Sequence, residues 1–158
     1  MPNNTPLQQH LLYLLQGDGA HVDFEAAVNH LPAELQGKRP RGSEHSPWEV
    51  LEHLRICQSD ILESLRKPGH TSPEFPAGYW PGSQAPPSGN AWQKSADAFR
   101  SDFAAIITLV SDQSTDLLAP LPQGDEQTAL RKLMMLADHT AYHLGELVLL
   151  RRLLGGWK

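Results

Sequence analysis

The chain has 158 residues, of which 40% are hydrophobic and 20% are charged, a composition that excludes a disordered chain and fits one folded domain over residues 1–158. The chain has 13 Lys and Arg residues and 18 Asp and Glu residues, which gives a net charge of −5. It contains no run of basic residues, which argues against a nucleic-acid partner. The single cysteine, Cys57, excludes an internal disulfide framework and fits a reducing compartment, so we expect a cytoplasmic protein.

The N-terminal segment has neither the positively charged leader of a signal peptide nor an apolar run long enough to span a membrane. No other stretch approaches about 18 consecutive apolar residues. We therefore expect a protein without a membrane partner.

Four stretches show the apolar spacing of helices, and none shows the strict alternation of a half-buried strand. Gly17, Asp18 and Gly19 interrupt the first stretch, where the low helix propensity of glycine predicts a break or kink. The predicted helical stretches are Leu7 to Leu31, Ser46 to about Lys67, Ser88 or Asn90 to about Ser114, and about Glu126 to Leu154. The fold class that follows is all-α, a four-helix bundle in which facing helices can build a site.

The second predicted helix has a strong start signal. Ser46 can accept from the Glu49 amide, Pro47 suits the first helical position, and the Glu49 side chain can complete a capping box.

A long proline-rich loop, residues 68–88, separates the second and third predicted helices. It contains six prolines and three glycines, so few backbone amides are free for regular structure. Phe75, Tyr79 and Trp80 give it apolar surface to bury, which favours an ordered loop over a linker. Tyr79 and Trp80 either seal the end of the bundle or roof a site on it.

Two histidines on the last predicted helix, His139 and His143, lie four residues apart, so both rings project to the same side. Such a pair could share a metal ion, but in a chain with eight histidines chance alone gives roughly 0.4 pairs of this spacing. Two ordinary histidines at the margin of a bundle remain the alternative.

A catalytic metal site with an open position needs a third protein ligand from another helix, and His53 is the natural candidate. Glu146 lies on the same face as His143 and could orient a ligand or act as a general base; a solvated carboxylate is the alternative. Glu49 and Asp60 are candidate partners for His53, whereas Cys57 is more typical of a small buried side chain. The remaining histidines are expected in solvent: His10, His21, His30, His45 and His70.

Two segments carry a family resemblance. Residues 45–56, HSPWEVLEHLRI, resemble the second-helix signature of the DinB-like family, and residues 137–152, ADHTAYHLGELVLLRR, resemble its last helix. The resemblance implies a four-helix bundle, often a homodimer, with a divalent metal held by His53, His139 and His143. Zn²⁺ and Ni²⁺ are the first candidates, although three imidazoles also suit Co, Cu or Fe.

Characterised members of that family include thiol-dependent S-transferases and a thiol-dependent isomerase. The resemblance therefore implies a metal-dependent transferase or hydrolase that acts on a small-molecule substrate. The leading interpretation is a thiol S-transferase that uses a low-molecular-weight thiol. Glu146 is the candidate catalytic residue. The alternatives are a non-catalytic metal-binding or dimerising bundle with a stress-related role, and metal-free structural histidines that do not converge.

Overall fold

A computed structural model describes residues 5–17, 20–121 and 127–157 of the chain. The helices within these ranges are α1 (Pro6–Gln16), α2 (Phe24–Val28), α3 (Ala33–Gln36), α4 (Pro47–Arg66), α5 (Ala91–Ser111) and α6 (Ala129–Leu153), with one 3₁₀ turn at Ala77–Tyr79. The described residues contain no β-strand beyond an isolated bridge between Pro120 and Thr128. The predicted all-α class is confirmed.

Four long helices form the bundle. Helix α4 packs along both α5 and α6, and α1 packs against α5 and α6 on the other side. One group of buried side chains joins α4, α5 and α6 and includes Leu51, Phe99 and Leu147. A second group, which includes Leu62 and Ile106, fills the other end.

The first predicted helical stretch is broken rather than kinked. Helix α1 ends at Gly17, whose φ of 69° is a left-handed cap that glycine adopts without strain. A separate short helix, α2, begins after Asp23, whose side chain accepts from the Ala26 amide. Asp18 and Gly19, predicted to lie at the interruption, fall outside the described residues.

The other predicted boundaries differ from the observed ones by a few residues. Helix α4 ends at Arg66, α5 covers Ala91–Ser111, and α6 covers Ala129–Leu153. Glu126, the expected start of the last helix, lies outside the described residues.

The capping box at the start of α4 is present. Ser46 Oγ accepts from the Glu49 amide at 3.2 Å, and Glu49 Oε2 accepts from the Ser46 amide at 2.8 Å. Arg39 also pairs with the Glu49 carboxylate, while the Ser46 hydroxyl donates to the Gln84 carbonyl. The first turn of α4 is thereby attached to the proline-rich loop.

None of the helices in the described part of the chain is long and apolar enough to cross a membrane.

Candidate metal centre

The three predicted ligands meet in the groove between α4 and α6. His53 comes from α4, and His139 and His143 come from α6. One ring nitrogen from each residue lies within 4.8 Å of those of the other two, and His53 Nε2 and His139 Nε2 are 3.0 Å apart. His53 and His143 are buried and His139 is half-buried. The possibility that these histidines fail to converge is therefore wrong.

Hydrogen bonds on the outer side of two rings set their protonation. His53 Nδ1 lies 2.8 Å from the Tyr79 carbonyl, which can only accept, so this nitrogen carries the proton and Nε2 has a lone pair. His143 Nδ1 lies 2.8 Å from Glu146 Oε2 and donates to it in the same way. Both rings thus direct an unprotonated nitrogen into the cluster, the arrangement that metal-binding histidines have.

The third ring lacks such an outer partner. His139 Nδ1 is buried without a hydrogen bond to any residue in the described ranges. Since His53 Nε2 already offers a lone pair toward His139, the protein groups alone leave this cluster with an unsatisfied buried polar atom. The fit to a metal rests instead on the inner nitrogens: three imidazoles that converge are a donor set that suits a divalent metal ion.

Burial favours the neutral, metal-ligating form of His139 and His53. Burial, together with the charges of the nearby His143 and His53 rings, lowers the pKa of His139 to about 4. Burial also lowers the pKa of His53, although the hydrogen bond to the Tyr79 carbonyl opposes this shift. These two rings therefore need no deprotonation at neutral pH before a metal binds.

Glu146 joins two histidines from different parts of the chain. Its Oε2 accepts from His143 and its Oε1 accepts from His45 Nδ1 at 2.9 Å. Burial alone would raise the pKa of Glu146, but the hydrogen bonds from His143 and His45 more than offset it and the pKa lies below its ordinary value. The carboxylate is therefore ionised at neutral pH and holds the His143 ring in place.

The proline-rich loop forms one side of the site. The Trp80 ring stacks between two imidazoles, with its centroid 3.9 Å from that of His53 and 4.0 Å from that of His45. The neighbouring Tyr79 donates its hydroxyl to Asp60 Oδ2 at 2.9 Å while its carbonyl accepts from His53. The contacts of Tyr79 and Trp80 support a roof over the site, whereas the expectation that Phe75 is buried is wrong, because its side chain is 84% exposed.

Several partners differ from those expected from the sequence. Glu49 pairs with Arg39 and Ser46, and Asp60 binds His70 and Tyr79. The prediction that these two carboxylates are partners of His53 is therefore wrong. The assignment of His45 and His70 to solvent is also wrong. His45 sits between Glu146 and Trp80, and His70 Nε2 lies 2.7 Å from Asp60 Oδ1.

Cys57 lies one turn beyond His53 but remains a thiol. Its Sγ is 3.6 Å from His53 Nδ1. Burial, with a contribution from the charge of Asp60, raises its pKa to about 12. Since the thiolate is the form that attacks a substrate, Cys57 of the metal-free protein is a poor nucleophile at neutral pH.

A partly open cavity of about 320 Å³ adjoins the cluster. His53 and His139 form part of its wall, and Tyr79 and Trp80 from the proline-rich loop form another part. A small molecule in this cavity would therefore be within reach of a metal held by the histidines.

Comparison with protein families agrees with the geometry. The family model of the DinB superfamily matches residues 16–147, which include all three histidines and Glu146. Comparison with curated proteins and with solved structures gave no significant match. The match covers most of the chain and includes both helices of the histidine cluster, and the chain belongs to the DinB superfamily.

Proposed function

We propose that this protein is a divalent-metal-dependent enzyme of the thiol S-transferase type, with His53, His139 and His143 as its metal ligands. The observation that carries the proposal is the inward convergence of three imidazoles beside a cavity large enough for a small molecule. Three neutral rings add no negative charge, so a bound divalent ion keeps its full charge for an incoming ligand.

A divalent cation at this site would supply Lewis-acid stabilisation to an anionic nucleophile such as a thiolate. In the reaction the sulfur of a low-molecular-weight thiol gives its proton to water and forms a bond to an electrophilic carbon of the substrate, while the leaving group departs with the electron pair of the broken bond. The raised pKa of Cys57 supports a thiol from outside the chain as the sulfur donor.

The residues around the histidines would position the reactants. Glu146 and the Tyr79 carbonyl hold His143 and His53 by their outer nitrogens, which fixes the direction of the inner lone pairs. Trp80 covers one face of the His53 ring and would limit water access to the site. A catalytic role for Glu146 stays a prediction; its hydrogen bonds favour a positioning role.

The alternative function, a non-catalytic metal-binding or dimerising protein, also has some support. Tyr142 and Leu149 lie on α6 seven residues apart, and their side chains are exposed. An apolar stripe of this kind is typical of a helix that packs against a partner. We propose a homodimer that uses this stripe, in a cytoplasmic protein, and the dimer is compatible with either function.

Elemental analysis of the untagged protein tests the proposal, with His53→Ala and His139→Ala as test variants and His10→Ala as the control. His10 is exposed and lies on α1, outside the histidine cluster. We expect close to one metal ion per chain in the wild type and the control, and its loss in both test variants. The metal-loaded protein should then consume a low-molecular-weight thiol in the presence of an electrophile.

Two results would count against the proposal in different ways. A wild type that binds no metal after incubation with Zn²⁺ or Ni²⁺ would remove the metal centre. Stoichiometric metal without thiol consumption across a panel of electrophiles would favour the non-catalytic alternative.

A further inference from the structure

The cavity beside the histidines has a long apolar wall. It extends from His53 and His139 along the α4–α6 groove, with Ile61 on α4 and Met135 on α6. Phe75, Tyr79 and Trp80 of the proline-rich loop line it from above. Aromatic and aliphatic walls of this kind favour an apolar and partly planar ligand.

One cation lies at the far end of this cavity. Lys132 lines it and precedes His139 by seven residues, which places it about two turns and about 10 Å away on the same face of α6. Its side chain is half-buried and forms no ion pair with any residue that the structure describes. Arg39, Arg55 and Arg100, in contrast, each pair with a carboxylate.

The stability of α6 does not explain this lysine. The first turn of α6 contains no acidic residue, and Arg131 and Lys132 add positive charge close to the end where the helix dipole is already positive. Lysine at this position therefore disfavours the helix slightly. An anion in the cavity would offset both the ammonium charge and the dipole.

Asp60 also lines the cavity, but on the α4 side. His70 Nε2 is hydrogen-bonded to one of its oxygens and the Tyr79 hydroxyl to the other. Its carboxylate is therefore engaged in holding the proline-rich loop. Among the described charged residues that line the cavity, Lys132 is the one without an ion pair.

We propose that the substrate of this site is a small organic anion with an apolar, partly planar body. Its carboxylate or similar anionic group lies against Lys132 on the α6 side, its body lies under Tyr79 and Trp80, and its reacting end reaches the histidine cluster. This inference rests on the proposed function for the use of the site, while binding of the anion is a property of the cavity that can be measured separately.

The test compares three probes that share one aromatic chain and differ in the end group: phenylbutyrate, phenylbutanol and phenylbutylamine. Dissociation constants are measured by ligand-observed NMR at low ionic strength, with the metal content of each sample determined in parallel. We expect the acid to bind about 1.5- to fivefold more tightly than the alcohol, the range for a partly exposed ion pair, and the amine to bind most weakly.

Three variants test whether the preference for the acid depends on the charge of Lys132. Lys132→Gln should remove the advantage of the acid and leave the affinity for the alcohol unchanged, whereas Lys132→Arg should retain the advantage. Arg131→Gln removes the same charge from the neighbouring exposed position and serves as the control, for which we expect the wild-type preference. Thermal unfolding of each variant confirms that the fold is intact.

Three results would each overturn the inference. The first is equal binding of acid and alcohol by the wild type, and the second is loss of the acid preference to the same extent in Lys132→Gln and Arg131→Gln. The third is no binding of any probe at millimolar concentration. If the protein binds one metal ion per chain but shows no preference for the acid, the proposed function is retained and the anion site is refuted. An acid preference that depends on Lys132, in a protein that binds no metal, would overturn the proposed function and leave the anion site.

Discussion

Replacing Glu146 with glutamine separates a positioning role from a catalytic one. The carboxylate accepts one hydrogen bond from His143 and one from His45, at 2.8 and 2.9 Å. Glutamine keeps one acceptor oxygen, but its amide donates and would face an N–H of one of the two rings, so one bond is lost. Loss of a partner behind a metal-ligating histidine typically weakens metal affinity by 10- to 100-fold, which corresponds to about 1.4–2.7 kcal/mol.

The assay is a competition titration of the metal against a chelator of known affinity, performed on the wild type, Glu146→Gln and Glu44→Gln. Glu44 is exposed and adjoins His45 in the sequence, so its substitution removes the same charge without touching the histidine cluster. We expect a loss of at least tenfold in Glu146→Gln and no change in Glu44→Gln. A metal affinity within twofold of the wild type would refute the positioning role, and a loss of turnover at that unchanged affinity would instead identify Glu146 as a catalytic base.

Two further predictions concern pH and assembly. Because the pKa of His139 is about 4 in the folded chain and near 6.5 when unfolded, the unfolded state binds more protons as pH falls through this window. The metal-free protein should therefore lose stability from pH 6.5 down to pH 4, by at most about 3 kcal/mol from this residue. Urea unfolding should show a smaller acid loss in His139→Asn, and identical losses would contradict the assignment. Light scattering of the wild type should give twice the chain mass of 17.5 kDa. Tyr142→Glu and Leu149→Glu should each give the mass of a single chain. Leu118→Glu is the control and should remain a dimer, because its exposed side chain lies outside α6. A monomeric wild type at working concentration would contradict the dimer.

The features that the sequence predicted correctly are those with local signals. The capping box at Ser46 and Glu49 depends on residues three apart, and the pairing of His139 with His143 depends on one helical turn. His53 follows from the same periodicity, because a residue on the inner side of α4 must face a neighbouring helix. Local rules fix these directions before any tertiary contact is known.

The features that were missed depend on contacts between distant segments. His45 meets Glu146 across 101 positions, and His53 meets the Tyr79 carbonyl across 26 positions within an irregular loop. Neither helical periodicity nor composition encodes which backbone carbonyl of a proline-rich loop will face a histidine. For α2 there was a local signal, since Asp23 precedes a short apolar run in the pattern of an N-cap.

The attachment of the proline-rich loop explains how an irregular segment can shape a metal site. The loop is tied to α4 at three places: the Ser46 hydroxyl bonds the Gln84 carbonyl, His53 bonds the Tyr79 carbonyl, and Asp60 accepts from the Tyr79 hydroxyl. These points span about 20 Å of the helix, so the loop and α4 form one unit that carries His53 and the roof of the cavity.

The other two histidines of the cluster belong to α6, and the packing of α4 against α6 therefore sets the distance between His53 and the His139–His143 pair. Leu51 and Leu54 from α4 meet Leu144 and Leu147 from α6 in one buried group. Close-packed side chains transmit small displacements, so a change of volume in this group would move one helix relative to the other. The geometry of the histidine cluster thus depends on apolar residues outside it, in addition to the three histidines themselves.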